Sequence, residues 1–133
     1  MSQESITDLA HRMAEAWNLG LDEYMALHAE DVVHVTTPEW HERGTYRGRD
    51  QVRRFWESIS PDLGENEIAV DEVIVLDDHR VLSKLQWRVA GPTSGVETTS
   101  QVYIVATERG GLVARIEYFV NYETALEAAG LSK

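Results

Sequence analysis

His34 is the side chain in this sequence best suited to move a proton near neutral pH. It lies in the run 32–37, which is rich in β-branched residues and reads as a strand. Strand alternation puts Val32, His34 and Thr36 on one face, with Val33 and Val35 on the other. A neutral imidazole in an apolar pocket can accept a proton. Tyr103 and Tyr118, on later strand-length segments, carry phenols able to donate to a developing oxyanion. The plainer reading makes His34 a hydrogen-bonding member of a polar patch inside a binding cavity, because titratable groups in pockets mark function only statistically. His34, His41 and Glu42 invite a metal reading as well. Their spacing matches no closed ligand set and a third, distant ligand would be needed, so no metal is expected. Asp31 reads as a capping residue between helix and strand rather than as a catalyst.

Aromatic residues supply the walls that such chemistry needs. Trp17, Trp56 and Trp87 suit a flat or polycyclic ligand, and they serve equally well as core. Trp40, His41 and Glu42 stand in the irregular stretch 39–45, where they can cover a cavity mouth, and Tyr46 follows it, leading into the next helix.

The elements that position these groups follow from hydrophobic period. Ile6, Leu9, Met13 and Trp17 recur at helical spacing, so residues 5–18 are expected to form an amphipathic helix, with Ser5 as its cap and Gly20 as its stop. Residues 21–28 read as a shorter helix with Leu21, Tyr24, Met25 and His28 on one face. After the strand, Val52, Phe55, Trp56 and Ile59 mark a third helix, closed by Pro61 and Gly64. The second half changes character. Segments 68–76, 81–89, 98–107 and 112–121 are of strand length, separated by turn residues at 77–80, 91–95 and 109–111. Strands joined by short turns make an antiparallel meander. A short helix over 123–129, stopped by Gly130, ends the chain. Helices first and a meander second is an α+β architecture, three helices packed on a curved antiparallel sheet that encloses a pocket.

Composition narrows the function classes. The 133 residues fit one domain, 1–133, large enough for a proper core. There is no Cys, so disulfide and thiolate chemistry are excluded. The formal net charge of −11 argues against nucleic acid and anionic membrane surfaces as partners. The basic cluster Arg47, Arg49, Arg53 and Arg54 reads as a solvated helix end before it reads as an anion site. The start shows no secretory signal and no apolar run is long enough to span a membrane, so a cytoplasmic location is expected. No cofactor is expected.

Several local runs resemble one superfamily. They are Ala16-Trp17-Asn18 followed by Gly20, the run from Leu27 to Val33, the run from Gly44 to Asp50, Phe55-Trp56, and the tail from Ala125 to Leu131. Together they resemble the nuclear transport factor 2-like superfamily, in its SnoaL-like branch, across nearly the whole chain. The resemblance implies a cone-shaped, cystatin-like fold with a pocket between sheet and helices. It also implies a homodimer through the outer sheet face, where Phe119, Val102 and Ile104 are expected. The fold hosts isomerases, cyclases, dehydratases, epoxide hydrolases and non-catalytic binders, so it does not choose among them.

The resemblance also suggests which residues line the pocket. It turns His34 and Thr36 inward, together with Met13, Trp17, Tyr46 and Trp56 from the front half. From the meander it turns in Leu85 and Trp87, then Gln101, Tyr103 and Val105, then Ile116, Tyr118 and Val120. Thr36 occupies the place of the ketosteroid isomerases' base, Tyr103 that of their oxyanion-hole acid, and Met13 that of their first-helix Tyr. An Arg-x-Asp of the epoxide hydrolase kind is absent from the strands, and Asn121 stands where cyclases place an acid. Two classes of function follow. One is a proton-transfer lyase, isomerase or cyclase acting on a small hydrophobic carbonyl compound, with His34 as base and Tyr103 as hydroxyl partner. The other is a pocket that binds a hydrophobic or aromatic small molecule without turnover. Both need the same apolar walls.

Overall fold

The helical stripe of Ile6, Leu9, Ala10 and Met13 forms the buried side of α1, Gln3–Leu19. The helix begins two residues before the expected cap, so Ser5 lies within it. The computed structural model describes residues 3–36, 44–63, 65–90 and 96–131. Trp40, His41 and Glu42 lie outside the described residues.

Helix α2 is only Leu21–Met25, shorter than its periodicity suggests. His28 instead opens β1, His28–Thr36. The reason is long-range: His28 pairs with Val113, and the Val113 amide donates to the Leu27 carbonyl at 2.8 Å. Backbone pairing with a distant strand outweighs a local helical pattern. A short strand that the pattern did not reveal, β2 (Thr45–Arg47), pairs antiparallel with β1, His34 opposite Tyr46. Helix α3, Gly48–Leu63, continues past Pro61. Its stripe buries Val52, Phe55 and Trp56. Each such side chain contributes about 1.5–3 kcal/mol on leaving water.

The meander consists of β3 (Glu65–Val75), β4 (Arg80–Ala90), β5 (Glu97–Arg109) and β6 (Leu112–Phe119). The sheet order is β2-β1-β6-β5-β4-β3, antiparallel except at one seam, where β1 lies parallel to β6. The β5–β6 turn uses Gly110 and Gly111 at φ 62° and 85°, a left-handed pair that glycine adopts without strain. The tight turn holds the two strands in the register that sets Ile104 beside Tyr118.

Among the described residues, four helices, not three, pack on this sheet. α1, α2 and α3 cover its inner face, in a core that includes Ile6, Tyr24, Val52, Leu85, Val102, Ile104 and Tyr118. The fourth, α4 (Tyr122–Ala129), covers part of the other face, where Ala125 and Ala129 pack on Leu82, Val105 and Phe119. Asn121 is its N-cap and accepts from the Thr124 amide at 3.1 Å. Among the described residues, no helix is long and apolar enough to cross a membrane.

This second layer corrects the expected facing of β5. Gln101, Tyr103 and Val105 do share a face, but Tyr103 and Val105 join the core beneath α4. Val102, Ile104 and Ala106 face inward. Register explains the pairing: Tyr103 lies opposite Phe119, and Ile104 opposite Tyr118. Val102 and Ile104 are therefore unavailable to an outer dimer face, and Phe119 is buried.

Candidate functional site

Between β1, β6 and α2, four side chains form one buried hydrogen-bonded chain. The Tyr24 and Tyr118 hydroxyls lie 3.1 Å apart, and the Tyr118 hydroxyl is 3.0 Å from His34 Nδ1. His34 Nε2 is 2.9 Å from His28 Nε2, and His28 Nδ1 is 2.8 Å from the Tyr24 carbonyl. His28 and His34 are fully buried, and Tyr24 and Tyr118 nearly so. Arg49 ties the chain to α3, donating to the His28 carbonyl through Nε at 2.9 Å and a terminal nitrogen at 2.5 Å.

Elementary donor accounting gives this chain a direction. A carbonyl only accepts, so His28 Nδ1 donates to Tyr24 and, in a neutral ring, His28 Nε2 accepts. His34 Nε2 must then donate, which leaves His34 Nδ1 as an acceptor for the Tyr118 hydroxyl. Tyr118 having spent its hydrogen, Tyr24 donates to it. Electrostatics agree with neutral rings. Burial pulls His28 down to about 4, its bond to the Tyr24 carbonyl opposing and the Arg49 charge adding to the fall. Burial, then His28, holds His34 well below the usual imidazole value. Burial pushes Tyr24 up to about 12 against its bond to Tyr118, and pushes Tyr118 well above the ordinary phenol range, with Tyr24 adding to the rise.

The chain ends at a small cavity lined by Trp17, Tyr24, Trp56, Ile68, Leu85, Trp87, Val102, Ile104 and Tyr118. It leaves about 30 Å³ open to the centre of a water-sized sphere, room for roughly two waters. A second, smaller cavity of about 20 Å³ shares Tyr24, Ile68, Leu85 and Ile104 with it and reaches Met13 and Ser83. The Trp17 indole packs edge-on against Tyr24 and Trp56, with centroids 5.1 and 4.8 Å apart. Asn66 Oδ1 accepts from Trp17 Nε1 at 2.7 Å and from Trp87 Nε1 at 3.1 Å. One amide oxygen thus fixes two wall indoles.

The structure gathers some of the expected residues here and disperses others. Trp17, Trp56, Leu85, Trp87 and Tyr118 line the main cavity, and Met13 the lesser one. His34 faces inward as expected but lies behind Tyr118, not at the cavity wall. Thr36 shares its face yet serves the backbone, its Oγ1 accepting from the Gly44 amide at 2.5 Å. Ile116 is fully buried in the core, and Tyr46 stacks on Phe55 at 4.4 Å. Val120 follows β6 and is exposed. Gln101 is exposed and donates to Asp71 at 3.0 Å. Tyr103 stacks on Tyr122 at 5.1 Å on the far side of the sheet, so it shares no cavity with His34. Trp40 lies outside the described residues.

Spacing and alternation do not single out Tyr24, His28, Asn66 and Ile68 as site residues. The four-residue spacing of Tyr24 and His28 is their one signal, and it reads locally as a helix face. Among the described residues, no group of three His, Asp or Glu gathers as a metal would require.

The family model for the SnoaL-like domain matches residues 10–116. Among curated proteins, none matches this chain. Solved structures do. A nuclear transport factor 2-like protein of unknown function from Burkholderia pseudomallei K96243 superposes with a TM-score of 0.77 at 21% identity, covering 96% of this chain and 97% of that one. TerC, co-crystallised with polyporic acid, gives 0.76 at 18% identity, covering 95% and 98%. A protein with a ketosteroid isomerase-like fold from Catenulispora acidiphila DSM 44928, in complex with trimethylamine, gives 0.72 at 15% identity, covering 92% of each chain. At these identities the likeness is one of fold.

Proposed function

This chain belongs to the SnoaL-like domain family, and from that premise we propose that it binds a small, largely apolar molecule between α1–α3 and the inner sheet face. The observation that carries this is the cavity wall: three indoles, four aliphatic side chains and two phenols, with no ionised group among them. Apolar walls with few polar groups are the usual form of a small-molecule site. Two structures of similar fold hold small molecules, polyporic acid in one and trimethylamine in the other. The cavity is smaller than an aromatic ring requires, so an occupant of that size enters by displacing the half-buried wall of Trp17, Ile68 and Trp87.

Binding without turnover is the better reading because His34 is fully engaged. Both its ring nitrogens are hydrogen-bonded, and a proton taken from the cavity would have to end on a buried imidazole that resists charge. One observation favours a second reading. The chain from Tyr24 through Tyr118 reaches His34 without a break, a path by which His34 could act as base on a carbonyl compound at a distance. A thermal-shift screen with small aromatic and steroid-like compounds, followed by product analysis, tests both. The expected result is stabilisation by several degrees near saturation without chemical change. Turnover abolished in His34→Gln would establish the relay instead, and a panel with no stabilisation would remove the pocket.

The proposal includes a homodimer through the part of the outer sheet face that α4 leaves open, where residues 97–101 of β5 are exposed. Sedimentation velocity at micromolar concentration should show a two-chain species, and a monomer would refute it.

A further inference from the structure

Two polar groups on side chains that line the cavity are left over once the buried chain is assigned. The first is the Tyr24 oxygen. Its hydrogen is committed to Tyr118, and among the described residues no donor reaches it, so it offers lone pairs only. The second is the Trp56 indole N–H. Trp56 is 5% exposed, lines the same cavity, and its Nε1 has no hydrogen-bond partner among the described residues. An indole nitrogen donates and cannot accept. A buried donor without an acceptor is costly, and such exceptions in a folded protein call for an explanation.

We infer that the cavity selects a small hydroxyl compound, an alcohol or phenol, whose oxygen accepts from Trp56 Nε1 and whose O–H donates to the Tyr24 oxygen. This deepens the binding reading and rests on it. A hydroxyl is the smallest group that satisfies both leftovers at once. A carbonyl oxygen satisfies Trp56 but sets its lone pairs against those of Tyr24. A hydrocarbon satisfies neither. A carboxylate brings a buried charge with no cation on the cavity wall. Reversing the chain, so that Tyr24 donates into the cavity, requires an extra proton on the His28–His34 pair. Burial opposes that proton, and Arg49 over the His28 carbonyl opposes it further.

Calorimetric titration of the full chain with phenol, benzaldehyde and toluene, three ligands of similar bulk, tests the inference. Phenol is expected to bind about tenfold tighter than benzaldehyde, the loss expected when a site's buried polar group goes unmet. That ratio is expected to fall to within about threefold in Tyr24→Phe, which removes the oxygen that separates the two ligands, and to persist in Trp56→Phe, which takes the same donor from both and weakens both relative to toluene. Toluene and benzaldehyde binding as well as phenol would overturn the hydroxyl selection and leave the pocket standing. No binding of any of the three at millimolar concentration would overturn both. Nuclear magnetic resonance of the wild-type chain provides a second readout if either variant fails to fold. Phenol should shift the Trp56 indole N–H resonance downfield and toluene should not, and an indole resonance indifferent to phenol would overturn the inference.

Discussion

Tyr118→Phe is expected to lower the unfolding free energy by about 2–6 kcal/mol, measured by urea denaturation at pH 7. The ring stays, so its packing is nearly unchanged and the loss belongs to the hydroxyl. Removing it strands two buried groups together, the acceptor His34 Nδ1 and the donor Tyr24 O–H. Each unmet group costs about 1–3 kcal/mol. Tyr24→Phe makes a sharper comparison. In the assigned direction it takes one donor from the Tyr118 oxygen and leaves every N–H and O–H of the chain paired, so it should cost clearly less. Equal losses in the two variants would show that the chain does not run from Tyr24 to His28.

Acidification should destabilise the protein well above the range of its carboxylates. His28 stays neutral when folded down to about 4, whereas an unfolded imidazole takes up its proton near 6.5. The unfolded state therefore binds the extra proton between those values. Stability is intact above about pH 6.5 and falls as pH drops toward 4. The loss from His28 alone is about 3 kcal/mol, and His34, shifted the same way, adds to it. Glu108, Asp31 and Asp77 titrate lower than ordinary carboxylates, so their contribution is lost only below about pH 4.5. Urea midpoints measured from pH 7 to 4.5 separate the two windows. A midpoint that holds constant between pH 6.5 and 5 would contradict neutral, buried imidazoles.

Much of the frame is legible in residue order because it depends on local periods. The stripe from Ile6 to Met13 is α1 and the stripe from Val52 to Ile59 is α3. The turn residues divide the second half into four strands at nearly the right places. Alternation puts Val32, His34 and Thr36 on one side, and all three are buried. It also brings Leu85 and Trp87 to the cavity with Trp17, Trp56 and Tyr118.

Strand β5 shows where that legibility stops. Val102, Ile104 and Ala106 alternate with Tyr103 and Val105, and both sets are apolar enough to be inside. Both are inside, because α1–α3 cover one face and α4 the other. A period of two says which residues travel together, not which side a helix will cover. The expected partner of His34 is therefore Tyr103, and the actual one is Tyr118.

The set of elements and their amphipathic faces can be read from residue order alone, since they follow from spacing within a dozen residues. Long-range packing was needed to draw His28 out of the helix into a strand, to seat His34 behind a phenol, and to gather two indoles on Asn66. Those facts join residues dozens of positions apart, as Tyr24 and Tyr118 are. The direction of a hydrogen bond between such groups follows from which donors and acceptors the fold brings within about 3 Å.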